Sequence, residues 1–426
     1  MVITLWLLGC VSSLEDTATT ATSATTGTTG PATEDTDTAE GVEVVPGVEE
    51  DPVDENGDTV FRNDQVHDIA LSIPEDSMDA LRLDPRSYVP AFWTHEGETL
   101  EVGVRLKGNT SYTWFNEKPS LIVDFDFAVA DQRYRGIPSL YLQNMTWDPS
   151  MVHEHLTYWF MRSLGVPASR TAYTRLTIDG EPYGLYLVLE KQNSLFRKQW
   201  WEDRTGSIYE AGSFNHPCDL SYGGDDDPCT CFEIDRVGED SFEDLQDLCL
   251  ASRSLESDWQ EQVSQHVDWE VFLQAQAAEM VISHYDNYGW NINNYRIYHE
   301  PTLGLFYWTP WSADLSFGWN PWVMEPRCGI YGVTPDEYRG GLLISRCWND
   351  PDCTQELHEV LRDQVDRFEE LDLEAELDRV LELIQEDVLV DPRTRYSDEE
   401  ALKEQLCVRN FITERPSQLR SWLDSQ

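Results

Sequence analysis

"HYDNYGWNINNYRIY", residues 284–298, sets one aspartate among aromatics and four asparagines. An apolar run, "WEVFLQAQAAEMVISHY" (269–285), comes before it and predicts a helix. After it, "YRIY", a turn at "HEPTLG" and "LFYWTPW" read as a hairpin, which leads into "PWSADLSFG" (310–318). Asp286 and Asn291 are therefore spaced D-x-x-x-x-N behind a helix, and Asp314 stands beyond a short hairpin in D-x-x-F-G.

A chain with acids to spare needs a reason to use amides here, and phosphoryl transfer supplies one. Hard oxygen ligands hold Mg²⁺, and an Asn gives oxygen without a second negative charge beside the phosphates. In protein kinases an Asp accepts the hydroxyl proton, and an Asn five residues on and an Asp past a hairpin bind the metal. The competing reading is a hydrogen-bonded Asn/Asp turn over an aromatic core.

The first half of the chain is strand-rich. "VHDIALSIP" (66–74) and "LEVGVRLKG" (100–108) alternate with period two, and "KPSLIVDFDF" (118–127) predicts a third strand. "DPSMVHEHLTYWFMRSLG" (148–165) opens on a cap signal and predicts a helix that stops at Gly165. Residues 170–191 predict a hairpin turning at Asp179-Gly180, and 202–240, with "GGDDD", read as an acidic insertion. Beyond residue 352 the pattern is helical. The whole is an α+β body.

An ATP site also needs a loop over the phosphates, a lysine and a helix acid to hold that lysine. The turn after "LK", with Gly108 and Asn109, fits the loop; Lys118 fits the lysine, Glu154 the helix acid, and Glu190 an adenine-side position.

The chain has 426 residues and a formal charge of −49, of which 13 acids with no Lys or Arg fall in residues 11–58. So acidic a surface excludes nucleic-acid and anionic-membrane binding, which require a basic surplus. The start, "MVITLWLLGC", is similar to a lipoprotein signal ending at Cys10, though it lacks a basic residue ahead of the apolar run. The Thr- and acid-rich 11–58 reads as a disordered tether. Eight further cysteines in an exported chain predict disulfides, with pairing undetermined.

Ordered motifs carry a resemblance. "GNTS" (108–111), "KPSLIVDF" (118–125), "DPSMVHEHL" (148–156), "DGEPYGLYLVLE" (179–190), "DNYGWNINNYRIY" (286–298) and "PWSADLSFG" (310–318) resemble, in that order, motifs of the CotH kinase family. The resemblance implies an atypical two-lobed protein-kinase-like fold over 60–426, using ATP with Mg²⁺ or Mn²⁺ to phosphorylate Ser or Thr of surface or coat proteins. Carried over, Asp286 is catalytic, Asn291 and Asp314 are metal ligands, and Lys118 contacts phosphate. Ser312 departs from the family, which has Asp there, and His153 replaces a common Arg.

The partner expected is a basic or Ser-rich protein at the bacterial envelope or surface, with membrane contact only through a lipid on Cys10. Two alternatives stand beside this reading: a pseudokinase or structural surface protein that keeps the fold, and a calcium- or glycan-binding module built on the acidic insertion.

Overall fold

The computed structural model describes residues 54–211, 218–224, 227–236, 242–320 and 333–426. The expected signal 1–10 with Cys10, most of the tether, and Cys328 lie outside them. Residues 54–58, expected in the tether, are folded. Asp54 accepts hydrogen bonds from the Asp58 and Thr59 amides, and Arg170 reaches Asp58 at 2.9 Å.

Seven strands close a barrel in the order β1-β2-β3-β4-β5-β7-β6. They are β1 Val66–Ser72, β2 Val89–His95, β3 Glu98–Lys107, β4 Ser120–Asp124, β5 Ser139–Gln143, β6 Thr171–Ile178 and β7 Glu181–Glu190. All neighbours are antiparallel except β1 and β6, whose parallel pairing closes the ring. Val102, Val104, Leu106, Leu121, Val123, Tyr186 and Val188 fill its interior with Trp93 and Phe125. Leu185, Leu187 and Leu189, alternating with the interior residues, face a second apolar cluster shared with the helices. Burial on both faces is why "YGLYLVLE" is a continuous apolar run.

Helix α1 (Glu75–Leu83) follows β1, and α2 (His153–Ser163) lies between β5 and β6 in the chain. Helix α2 starts five residues later than the sequence predicts, because "DPSMV" is a preformed cap. Asp148 accepts from the Ser150, Met151 and His153 amides at 2.8, 2.9 and 2.8 Å, satisfying donors that a helix start leaves open. Almost every α2 side chain is buried.

After α3 (Ser194–Trp200) the chain builds a second sheet, in which β8 (Ile208–Ala211) pairs with Phe232–Arg236 on one side and Tyr295–Glu300 on the other. Tyr295–Glu300 and Leu305–Pro310 form the predicted hairpin. The 202–240 segment is thus not a mere insertion, since it supplies two of the four strands. Disulfides Cys218–Cys231 and Cys229–Cys249 staple it, and Cys347–Cys353 links the start of the helical region.

The helix Trp269–Val281 packs against Pro351–Glu370, and Leu373–Val390 and Asp398–Leu423 complete a helical second half. Arg415, buried in the last helix, donates to the carbonyls of Met280, Val281 and Val333 at 2.7–2.9 Å. It caps the C-terminal end of Trp269–Val281, where unpaired carbonyls and the helix dipole favour a cation. No helix among the described residues is long and apolar enough to cross a membrane.

Candidate active site

The loop launched by Trp269–Val281 folds around Asp286. Asn291 donates to its Oδ1 at 2.6 Å, Asn294 to its Oδ2 at 2.8 Å, and Asn293 to both at 3.1 Å. Asn287 meanwhile caps the short turn Tyr288–Asn291 through the Trp290 amide at 2.8 Å and donates to buried Glu279. The four asparagines therefore have geometric tasks: one shapes the turn and three aim the carboxylate. Ile292 and Asn294 adopt positive φ (53° and 48°), the tight coil that lets three amides converge.

Asp314 lies beyond the hairpin, and its peptide carbonyl accepts from His153 Nδ1 at 3.1 Å. Ser312, also at positive φ, places Oγ 3.5 Å from Asp314 Oδ1, and its carbonyl accepts from Asn294. Burial raises the Asp314 carboxyl well above the carboxylate range, and the charges of Glu154, Asp286 and Asp148 push the same way. Four acids thus crowd one place.

Glu154, in the first turn of α2, is buried and accepts from Gln143 Nε2 and Tyr158 Oη at 3.3 Å. Burial raises its carboxyl, and the Lys107 charge opposes the rise. Lys107, the last residue of β3, donates to Gln143 Oε1 at 2.5 Å and lies 4.7 and 4.9 Å from the Tyr141 and Trp311 ring centres. Burial pushes its ammonium down to about 8, while Glu154, Glu210 and Asp314 favour the charge and Arg296 opposes it. Arg296 itself stacks 4.1 Å over Trp311 and pairs with Glu210 at 2.9 Å.

The lysine beside Glu154 and Asp314 is therefore Lys107, whereas Lys118, expected to contact phosphate, pairs elsewhere. Lys118 lies ahead of β4, not in it, and its buried ammonium pairs with Asp391 at 2.6 Å. Asp391 also accepts from the Leu185 and Arg393 amides at 2.9 Å. Gly184 makes room for it: a Cβ there would meet the Asp391 carboxylate at 2.1 Å, and its φ is +94°. Lys118 lines a different cleft, with Thr113, Thr146, Arg393 and Arg395.

Gly108, at φ +97°, and Asn109, whose carbonyl accepts from Tyr112, form the tight turn directly after Lys107. Glu190 ends β7 with its carboxylate engaged by Arg170 at 2.7 Å and Gln199 at 2.6 Å, an interaction that ties β7 to the start of β6. Lys107 lies inside "LEVGVRLKG", where nothing but strand alternation marks it. Alternation with the inward-facing Val102, Val104 and Leu106 puts Lys107 on the outer face, toward α2.

The donor set suits a hard divalent cation: a carboxylate at Asp314, an amide at Asn291, and surrounding acid whose mutual repulsion a cation relieves. The profile of the CotH kinase protein family matches residues 104–419, which spans every residue of this cluster. The chain belongs to that family. It is 25% identical over 237 residues to the inner spore coat protein H of Bacillus subtilis (strain 168), covering 54% of this chain and 62% of that one. It is 23% identical over 243 residues to the invasin CotH2 of Rhizopus delemar, covering 53% of this chain and 40% of that one. The chain thus spans less than two thirds of the length of these curated relatives. Among solved structures, a Helicobacter pylori proinflammatory kinase, CtkA, superposes over 75% of this chain and 95% of its own at 10% identity and a TM-score of 0.33. HipA of Shewanella oneidensis MR-1, solved in a toxin–antitoxin complex with DNA, does so over 72% and 59% at 12% and 0.34.

Proposed function

We propose that this CotH-family chain is an atypical, two-lobed protein kinase that transfers the γ-phosphate of ATP to Ser or Thr of surface or coat proteins. One observation carries the reading: four distant stretches of chain are joined in one cluster, with Gln143 bonded to both Lys107 and Glu154, His153 to the Asp314 carbonyl, and Asn294 to both Asp286 and the Ser312 carbonyl. Asp286, aimed by three amides, is the acceptor for the substrate hydroxyl proton. Asn291 and Asp314 are the residues that would hold Mg²⁺ or Mn²⁺. When bound, the metal supplies neutralisation of charge on the phosphate oxygens. Lys107, held through Gln143 and beside Glu154, binds the phosphates, and the Gly108–Ser111 turn covers them.

Relatives named for a spore coat and for invasion support a location at the cell surface or coat, and lipid attachment at Cys10 belongs to the same proposal. A basic or Ser-rich protein suits the acidic surface as substrate. The pseudokinase reading has one specific observation in its favour: Ser312 offers a hydroxyl where the family has a carboxylate, a weaker metal ligand.

The test uses radiolabelled ATP, Mg²⁺ or Mn²⁺ and a Ser-rich basic acceptor, with Asp286→Ala and Asp314→Ala alongside. Transfer by the parent, lost by at least a hundredfold in each variant with melting unchanged, supports the kinase. Transfer retained in either variant removes that residue from its role. A metal-dependent thermal shift with ATP and no transfer identifies a pseudokinase.

A further inference from the structure

A second cluster of metal-ligating side chains lies at one end of the barrel, on β1, β2 and the turn after β2. His67 and His95 are both buried, Glu96 is exposed, and one potential ligand atom from each falls within 4.8 Å of the others. His67 Nδ1 and His95 Nε2 face each other at 3.2 Å. Two imidazole nitrogens sharing one tetrahedral zinc ion at about 2.05 Å sit about 3.3 Å apart. The observed separation is close to the spacing that a shared ion requires.

The outer nitrogens are also held as metal-binding histidines require. His67 Nε2 lies 3.3 Å from the Arg62 carbonyl, which can only accept, so the proton sits on Nε2 and Nδ1 is left with its lone pair, facing His95 and lying 3.5 Å from Gln65 Nε2. His95 Nδ1 lies 2.7 Å from Tyr134 Oη, a group able either to donate or to accept. A neutral His95 protonated on Nε2 would bridge to His67 Nδ1. Moved to Nδ1, where Tyr134 accepts it, that proton leaves two inward lone pairs with both rings neutral and no proton released. Arg135 engages Glu96 Oε2, and the other carboxylate oxygen carries no hydrogen bond among the described residues.

We infer that His67, His95 and Glu96 form a binding site for one divalent transition-metal ion of the zinc class, with water completing the coordination on the exposed Glu96 side. Two nitrogens and one carboxylate suit zinc and its neighbours, whereas magnesium and calcium take oxygen-only sets. The ion clamps the β2–β3 turn onto β1. The site shares no residue with the proposed kinase cluster and does not rest on it.

The experiment uses the full chain, stripped with chelator, with Co²⁺ alone as a visible-spectrum probe and Zn²⁺ alone titrated against a chromophoric chelator. A chain this acidic binds divalent ions loosely through carboxylates, but such oxygen sites give only weak Co²⁺ absorption. Histidine-ligated tetrahedral cobalt absorbs strongly. The expected result is one equivalent of intense Co²⁺ absorption, displaced by zinc, with His95→Gln abolishing it. Glu96→Gln, at an exposed turn where folding is not at stake, weakens zinc binding at least tenfold. Absence of the intense absorption in the parent overturns the inference, as does zinc binding of parental strength in both variants.

Discussion

The two lysines near the Gly108 turn make opposite predictions. Lys118→Met strips the buried Asp391 carboxylate of its cation while leaving it in place between Leu185 and Arg393. Breaking a buried pair from one side costs about 3–5 kcal/mol, which lowers the melting temperature by about 5 °C in a body of this size. Lys107→Met removes one hydrogen bond, to Gln143, two ring contacts, and a charge that Glu154 and Asp314 favour, although these acids, already pushed up by burial, can take a proton instead. That loss is worth about 1 kcal/mol and is offset by the end of a burial penalty that already pushes the ammonium down to about 8. Melting should barely move, whereas phosphate transfer should fall by more than a hundredfold, as loss of a preorganised charge does. The assay is thermal melting and radiolabel transfer on the same preparations, with Lys118→Met/Asp391→Asn added. The double variant should recover part of the Lys118→Met loss, because a neutral amide needs no cation. Refutation takes a plain form: Lys118→Met melts like the parent and is dead, while Lys107→Met still transfers.

Two further outcomes follow from buried charge elsewhere. Arg415→Met leaves three carbonyls at the end of Trp269–Val281 and at Val333 without donors, so the denaturation midpoint should drop by the equivalent of about 3 kcal/mol or more; an unchanged midpoint excludes the cap. At Glu376, burial pushes the carboxyl up, but hydrogen bonds from Arg379 and His155 outweigh it and hold it at about 2. Because the folded value lies below the ordinary 4.5, the resulting stability is complete above pH 4.5 and disappears as pH falls toward 2. Glu376→Gln should therefore be less stable than the parent by about 2 kcal/mol at pH 7, allowing for solvent at the half-exposed Arg379. That gap should close on acidification, and a gap independent of pH refutes the linkage.

The α+β class, the hairpins and the position of Asp286 between a helix and a hairpin were legible because each rests on local periodicity and turn chemistry. The pairing of Lys118 was not legible, because its partner is 273 residues away and no local pattern registers a contact of that span. The 202–240 segment looked like an insertion because its acids and glycines hide a short strand, and pairing with Tyr295–Glu300 makes that strand part of the sheet. Asparagine was read as a metal ligand on charge grounds. The structure adds a positional task, with Asn291, Asn293 and Asn294 all bonded to Asp286.

The same long-range logic explains why "DPSMVHEHL" belongs with the site although it lies far from Asp286 in sequence. Asp148 fixes where α2 begins by binding the amides ahead of it and that of His153. The first two residues of the helix then point at two different parts of the site. His153 holds the Asp314 carbonyl at 3.1 Å, and Glu154 meets Gln143, which binds Lys107. One helical turn, fixed at its start by one aspartate, thereby sets the separation between Lys107 and Asp314. A shift of that turn by a single residue would rotate both contacts away together, since successive residues on a helix point about 100° apart. Spacing between Lys107 and Asp314 is in this sense a property of the cap at Asp148.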